Sequence, residues 1–333
     1  MNIGIVGLGY WGPNLVRNLV GQKDVTNVFC CDLNQERLKS IRQKFPSVQV
    51  TDNYKDLLVN PSIDGICIAT PVSLHYKLAS EALQAGKNVL IEKPMTDSVK
   101  DAETLIELAE QKKLVLMVDH IFVYTGAVKK IKELIDTNEI GNILYFDSVR
   151  INLGLFQHDI NVIWDLAPHD ISIMNYIISE KPVSVYAVGE SHIDVKEDVA
   201  YITIKFSTNL IAHFNVNWLS PLKIRRILIG GDQKMIVYDD MEPSDKIKIY
   251  NKGIDVQSQE NIRKLLIQYR MGDMLAPNID TTEALTLVCN DFVESCLHQT
   301  KPLCDGIAGL NVVRILEASQ QSLQRGQPVK IQQ

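Results

Sequence analysis

Hydrophobic positions in the first third of the chain come in short, largely apolar runs, at residues 3–6, 25–31, 48–51, 63–69, 88–91 and 114–118. Runs of that length predict strands covered on both faces, as the strands of a parallel sheet are. The segments between them carry apolar residues at helical spacing instead. Leu15, Val16, Leu19 and Val20 share one side of the first such segment, and Leu105, Leu108 and Ala109 one side of the last. Helices are expected over 35–45, 54–58, 74–85 and 101–112, the second of these stopped by Asn60-Pro61. Alternating strand and helix predict a doubly wound α/β domain. The alternation ends near His120, which places the domain boundary there: residues 1–120, then 121–333.

The second part has a period of two. Alternating stretches cover 143–153, 183–192, 198–207, 210–219, 224–230, 234–239 and 246–250, punctuated by Ser207-Thr208-Asn209 and Gly230-Gly231. They predict a mostly antiparallel sheet with one packed face, accompanied by helices over 126–135 and 162–178. Asp280 as N-cap, with Glu283 reaching back, predicts a helix to about 298, and a last helix over 306–324 is expected to pack back on the first domain. The fold class is therefore α/β in the first domain and α+β in the second, with a large open sheet. The uncovered face of such a sheet stays partly apolar and predicts a homo-oligomer.

Composition narrows the partners. The chain has 333 residues, 46% hydrophobic and 22% charged, which fits two soluble domains. A net charge of -6 argues against a nucleic-acid partner. No apolar run reaches bilayer length, and no secretory signal pattern is present, so neither a membrane nor export is expected. Six cysteines without a C-x-x-C pair and seven histidines without ligand spacing predict reduced thiols, no metal and a cytoplasmic protein.

Candidate chemistry begins at the first turn. Gly7, Gly9 and Gly12 follow a strand and open a helix in G-x-G-x-x-G spacing, with Tyr10 and Trp11 inside the loop. Gly7 allows the turn, Gly9 close approach of a pyrophosphate, and Gly12 tight helix–strand packing. The helix N-terminus offers N–H groups to phosphate. Asp32 ends the second strand about 20 residues on, where a carboxylate accepts from ribose hydroxyls. No Arg or Lys stands in Leu33-Asn34-Gln35, so NAD is expected over NADP. Thr70 and Pro71, beyond the strand at 63–69, are placed to line the dinucleotide. His75 either faces the cofactor or bonds nearby backbone. Glu92-Lys93-Pro94 ends another strand at the same edge, where a lysine meets substrate and a proline invites a cis bond.

In the second part, Asp165 and His169 stand four residues apart on a predicted helix and so share a face. The pair either orients and charges an imidazole for proton transfer or is a structural Asp–His contact. Taken together, Gly7-Leu8-Gly9-Tyr10-Trp11-Gly12, Ala69-Thr70-Pro71 with His75, Glu92-Lys93-Pro94, and Asp165 with His169 resemble the glucose–fructose oxidoreductase / inositol dehydrogenase / MocA (Gfo/Idh/MocA) family over nearly the whole chain. The resemblance implies a Rossmann domain that binds NAD, followed by an open-sheet domain that joins dimers or tetramers. It also implies catalysis by Lys93 and His169 with Asp165 as helper. His169 would take the proton of a sugar hydroxyl, and Lys93 would steady the oxygen.

Four further stretches, Gly9-Tyr10-Trp11-Gly12-Pro13-Asn14, 152–159, 164–170 and 269–273, resemble the branch of that family acting on nucleotide sugars. That branch implies oxidation of the 3-hydroxyl of UDP-N-acetylglucosamine, for lipopolysaccharide-type sugars. The same chemistry on the uronic acid, a free sugar or an inositol stays open, as does a non-catalytic NAD-binding regulator. Arg225, Arg226 and Arg270 are candidates for the diphosphate. Gln157, His158, Asp159 and Asn161 are candidates for sugar hydroxyls, and Tyr124 for the pocket mouth.

Overall fold

A computed structural model describes residues 1–154, 160–251, 253–255, 268–270 and 272–332, with 253–255 and 268–270 given by their backbone. The chain divides into two compact units. The first is Met1–Thr125 with Thr282–Glu317, and the second is Gly126–Thr281 with Ala318–Gln333.

The first unit holds strands β1 (Asn2–Val6), β2 (Asn27–Cys31), β3 (Gln49–Thr51), β4 (Gly65–Ile68), β5 (Asn88–Glu92) and β6 (Leu116–Asp119). They form one sheet in the order β3-β2-β1-β4-β5-β6, and every pairing is parallel. β4, β5 and β6 are buried at every residue, which is why the middles of their sequences read as apolar runs. The order reverses between β1 and β4, and the carboxyl edge at that point is where such sheets take ligands. Helices α1 (Gly12–Val20), α2 (Gln35–Lys44), α3 (Tyr54–Val59), α4 (His75–Gln84) and α5 (Val99–Lys112) connect the strands.

A further helix, α8 (Ala284–His298), packs on α1 and buries Leu285, Val288, Cys289, Phe292 and Val293. It starts three residues later than its capping pattern predicts. Glu283 stands at the N-cap without a side-chain cap bond, because its carboxylate forms a two-pronged pair with Arg17 of α1.

The second unit is built on a nine-stranded sheet in the order β16-β13-β12-β11-β7-β10-β9-β8-β17, with short edge strands β16 (Met274–Leu275) and β17 (Val329–Lys330), while β14 (Gly253–Asp255) and β15 (Gln268–Arg270) pair with each other. Its long strands are β7 (Ile143–Leu153), β8 (Pro182–Glu190), β9 (Val199–Phe206), β10 (Ile211–Asn217), β11 (Leu219–Gly231), β12 (Met235–Asp239) and β13 (Ile247–Tyr250). All pairings among them are antiparallel except β7 with β10. Strict alternation puts Phe146, Ala200, Ile202, Phe214, Ile227 and Ile229 on a buried face. Helix α7 (Val162–Ile177) packs against β7, β9 and β10, beside α6 (Gly126–Asp136). Tyr145, Tyr186, Val188, Tyr201 and Ile211 lie on the other face and stay exposed. The last helix, α9 (Gly306–Arg325), begins in the first unit and ends in the second.

All six cysteines are buried and unpaired. Among the described residues, no helix is long and apolar enough to cross a membrane and no cluster of His, Cys, Asp and Glu has the makings of a metal site.

Candidate active site

The glycine loop is stitched to both neighbouring strands. Gly7 N–H donates to Cys31 O at 2.9 Å, and Ala69 N–H to Val6 O at 2.8 Å. Gly7 has φ +91°, and a side chain there would come within 2.4 Å of the Ala69 carbonyl oxygen. A side chain at Gly12 would lie 2.1 Å from the Gly7 oxygen, so α1 sits directly on the turn. Gly9 is different: a side chain there would meet no protein atom within 4 Å. Its bareness serves nothing in the fold and suits a ligand lying against the backbone.

Asp32 closes the loop from the side. One carboxylate oxygen accepts from Leu8 N–H at 2.6 Å and the other from Asn34 N–H at 2.8 Å. Arg37 of α2 also reaches it, at 3.4 Å. Glycine loop, helix N-terminus and acidic strand end thus fit a dinucleotide, with Tyr10 exposed at the rim and Trp11 edge-on to it at 5.8 Å.

Around the ends of β4 and β5, His75 settles between its two readings. Its Nδ1 lies 2.9 Å from Pro94 O and its Nε2 2.9 Å from Thr70 O, and the residue is buried. It braces two loops against each other instead of facing the cofactor, and burial lowers its pKa. Pro71 is exposed and Thr70 half-buried, while the Lys93–Pro94 bond is cis.

Glu92 points inward. It stands in register with Asp119 on the neighbouring strand, and both side chains are buried. Its carboxyl is therefore held in the interior, not offered to the cofactor as a side-chain ligand. Burial, then the charge of Asp119, pushes Glu92 well above the usual range. Burial brings Asp119 up to about 6. His120 follows in the chain, and burial and the Lys93 charge push it down to about 3, so it is neutral. Lys93 stands half-buried beside this group.

In the second unit, α7 carries the other candidates. Asn161 caps it by accepting from Trp164 N–H at 3.2 Å, while its amide donates to Glu197 at 2.7 Å and Gln320 at 2.8 Å. Every polar atom of that side chain is spent on the fold, so Asn161 is a cap and not a reader of sugar hydroxyls. The helix runs through Pro168 to Ile177, which places the half-buried Asp165 and His169 one turn apart on one face. Asp165 Oδ2 accepts from the indole Nε1–H of Trp218 at 3.0 Å. The next residue after His169, Asp170, is buried and paired with Arg150 of β7. Ser148 Oγ donates to the same carboxylate at 2.7 Å. That pair ties the helix to the sheet.

Three other expectations are corrected. Tyr124 is 2% exposed and its hydroxyl donates to Asp291 at 2.6 Å, so it anchors α8 from the interior and lines no pocket mouth. Arg225 and Arg226 are neighbours on β11 and therefore point to opposite faces. Arg225 shares the α7 side with its register partner Arg150 and pairs with Asp240, whereas Arg226 pairs with Asp239. Their pleat denies both a common diphosphate clamp. Gln157, His158 and Asp159 lie outside the described residues, as does the side chain of Arg270, whose backbone pairs with Gly253.

Spacing along the chain did not reveal Trp218 or the Arg150–Asp170 pair, because each finds its partner on another element. Asp119 was legible as a strand end, but its pairing with Glu92 required the register.

Compared with known proteins, residues 1–120 match the family model described as an oxidoreductase family with NAD-binding Rossmann fold. Residues 128–237 match the GFO/IDH/MocA C-terminal domain. A UDP-N-acetylglucosamine 3-dehydrogenase of Acidithiobacillus ferrooxidans is 27% identical over 322 residues, 94% of each chain. A solved structure of that enzyme has a TM-score of 0.82 at 24% identity, covering 98% of both chains. Levoglucosan dehydrogenase, solved with NADH and levoglucosan, has a TM-score of 0.85 at 19% identity and covers both chains fully.

Proposed function

From a chain that belongs to the Gfo/Idh/MocA family of NAD-dependent oxidoreductases, we propose an enzyme that oxidises the 3-hydroxyl of UDP-N-acetylglucosamine to a ketone. The observation that carries the substrate is the similarity to a UDP-N-acetylglucosamine 3-dehydrogenase along 94% of the chain, through both units. The presence of Lys93, Asp165 and His169 supports catalysis over a merely regulatory binder.

When bound, NAD supplies the hydride acceptor. The chain's own residues handle the proton and the charge. His169 accepts the hydroxyl proton, a role for which an imidazole is suited near neutral pH. Lys93 donates a hydrogen bond to the same oxygen and stabilises its growing negative charge. Asp165 acts through His169 by orienting the ring and balancing the imidazolium. Gly7, Gly9, Gly12 and Asp32 hold the dinucleotide, with Tyr10, Trp11, Thr70 and Pro71 around it. Gln157, His158, Asp159 and Arg270 are the remaining candidates for the nucleotide sugar.

The exposed aromatic and aliphatic stripe of the nine-stranded sheet supports a homo-oligomer assembled through that face. Six unpaired thiols support the cytoplasm as its compartment.

The test is absorbance at the NADH band with NAD and UDP-N-acetylglucosamine, and separately with its uronic acid. An aminotransferase and glutamate are added to draw off the ketone. NADH is expected with the neutral sugar and is expected to vanish in Lys93→Met and His169→Asn. A signal with the uronic acid alone would replace the substrate; no signal with either, in protein that binds NAD, would sink the reading.

A further inference from the structure

Trp218 stands between β10 and β11 and is 1% exposed, the largest fully buried side chain among the described residues. An indole N–H taken out of water needs an acceptor. Here the acceptor is Asp165, a carboxylate on a different element, at 3.0 Å.

The backbone around this contact fixes both partners to the same place. Trp218 N–H donates to Asp198 O at 2.9 Å, and Val162 N–H, in the first turn of α7, donates to Glu197 O at 3.0 Å. Two consecutive residues just before β9, Glu197 and Asp198, therefore hold the helix that carries Asp165 and the tryptophan. From the other side, Gly154 N–H donates to Trp218 O at 3.0 Å. A side chain on Gly154 would lie 2.5 Å from the indole Cδ1, so the glycine leaves the ring its room. The aspartate is thus gripped by a donor that has no freedom to follow it.

We infer that Trp218 is a positioning residue: its indole N–H fixes the Asp165 carboxylate one turn from His169, and Gly154 keeps the ring in place. The inference rests on the proposed roles of Asp165 and His169. A carboxylate that steers an imidazole is effective only when its own rotamer is locked, and a buried N–H donor locks it.

The test compares wild type, Trp218→Phe, Asp165→Asn and the double variant with NAD and UDP-N-acetylglucosamine. Trp218→Phe keeps an aromatic ring and removes the donor. It is expected to lower kcat about ten- to hundred-fold, with KM for both substrates changed less than about three-fold. On the Asp165→Asn background it is expected to change nothing further, because it acts through that carboxylate. An equal loss on both backgrounds would overturn the inference.

If wild type does not turn over this sugar, the substrate reading fails while the positioning claim is still decided. The His169 ring Cε1–H resonance, identified by its loss in His169→Asn, is expected to move in Trp218→Phe toward its position in Asp165→Asn; an unmoved resonance rejects the claim. Should Trp218→Phe not fold, Gly154→Ala displaces the same ring and is read by the same two measurements.

Discussion

Glu92 and Asp119 stand in register at the carboxyl ends of β5 and β6, two buried carboxyls on adjacent strands. Burial raises both above their unfolded values. A carboxyl that holds its proton more tightly when folded adds stability below its unfolded pKa and loses it as pH rises through the folded one. For Asp119 that window runs from about 4 to about 6. The contribution is thus present at pH 4 and gone above pH 7. Urea midpoints taken across this range should fall less steeply for Asp119→Asn than for wild type. Parallel curves would mean that the pair does not titrate.

The glycine loop separates fold from ligand. Gly7→Ala forces a left-handed backbone and a collision with the Ala69 carbonyl, and should cost about 2 kcal/mol or more. Gly9→Ala meets nothing. Its melting temperature should match wild type while the Kd for NAD rises at least ten-fold. Calorimetry and a binding titration check both, and a Gly9→Ala protein that binds NAD normally would deny the close approach.

Arg37 lies 3.4 Å from Asp32, though no basic residue follows that aspartate within three positions. Asp32→Ser removes the carboxylate that prefers a free ribose and releases the guanidinium. The ratio of kcat/KM for NADP over NAD should rise about a hundred-fold, and Arg37→Ala added to it should erase most of the gain. A ratio indifferent to Arg37 would place the phosphate contact elsewhere.

Asp170 and Arg150 form a buried charge pair. Removing one partner strands the other, so Asp170→Ala should cost about 3–5 kcal/mol in denaturant unfolding. Replacing both with apolar residues, as Arg150→Met with Asp170→Leu, should recover much of that. A double variant as unstable as the sum of its singles would contradict the account.

What could be read from the chain was what depends on neighbours in sequence. The spacing of Gly7, Gly9 and Gly12, the Asp32 strand end and the Asp165–His169 turn are local, and so are the periods that separate the parallel sheet from the antiparallel one. What could not be read depends on partners far along the chain. Asp280 and Glu283 spell a helix start, yet Glu283 pairs with Arg17 and the helix begins at Ala284. Asn161 looked free for substrate until Glu197 and Gln320 claimed its amide. Arg225 and Arg226 were each candidates for a diphosphate, but the pleat of β11 turns them to opposite faces and each pairs with an aspartate.

The first unit is not continuous in sequence, and this matters on the ribosome. Its six strands are complete by Asp119, but α8, which buries Phe292 against α1 and the sheet, is encoded only after the whole of Gly126–Thr281. At about 5–20 residues per second, that apolar surface waits on the order of ten seconds or more for its cover. The nascent chain therefore spends the synthesis of its second unit with an unfinished first one, open to chaperones and to other copies of itself.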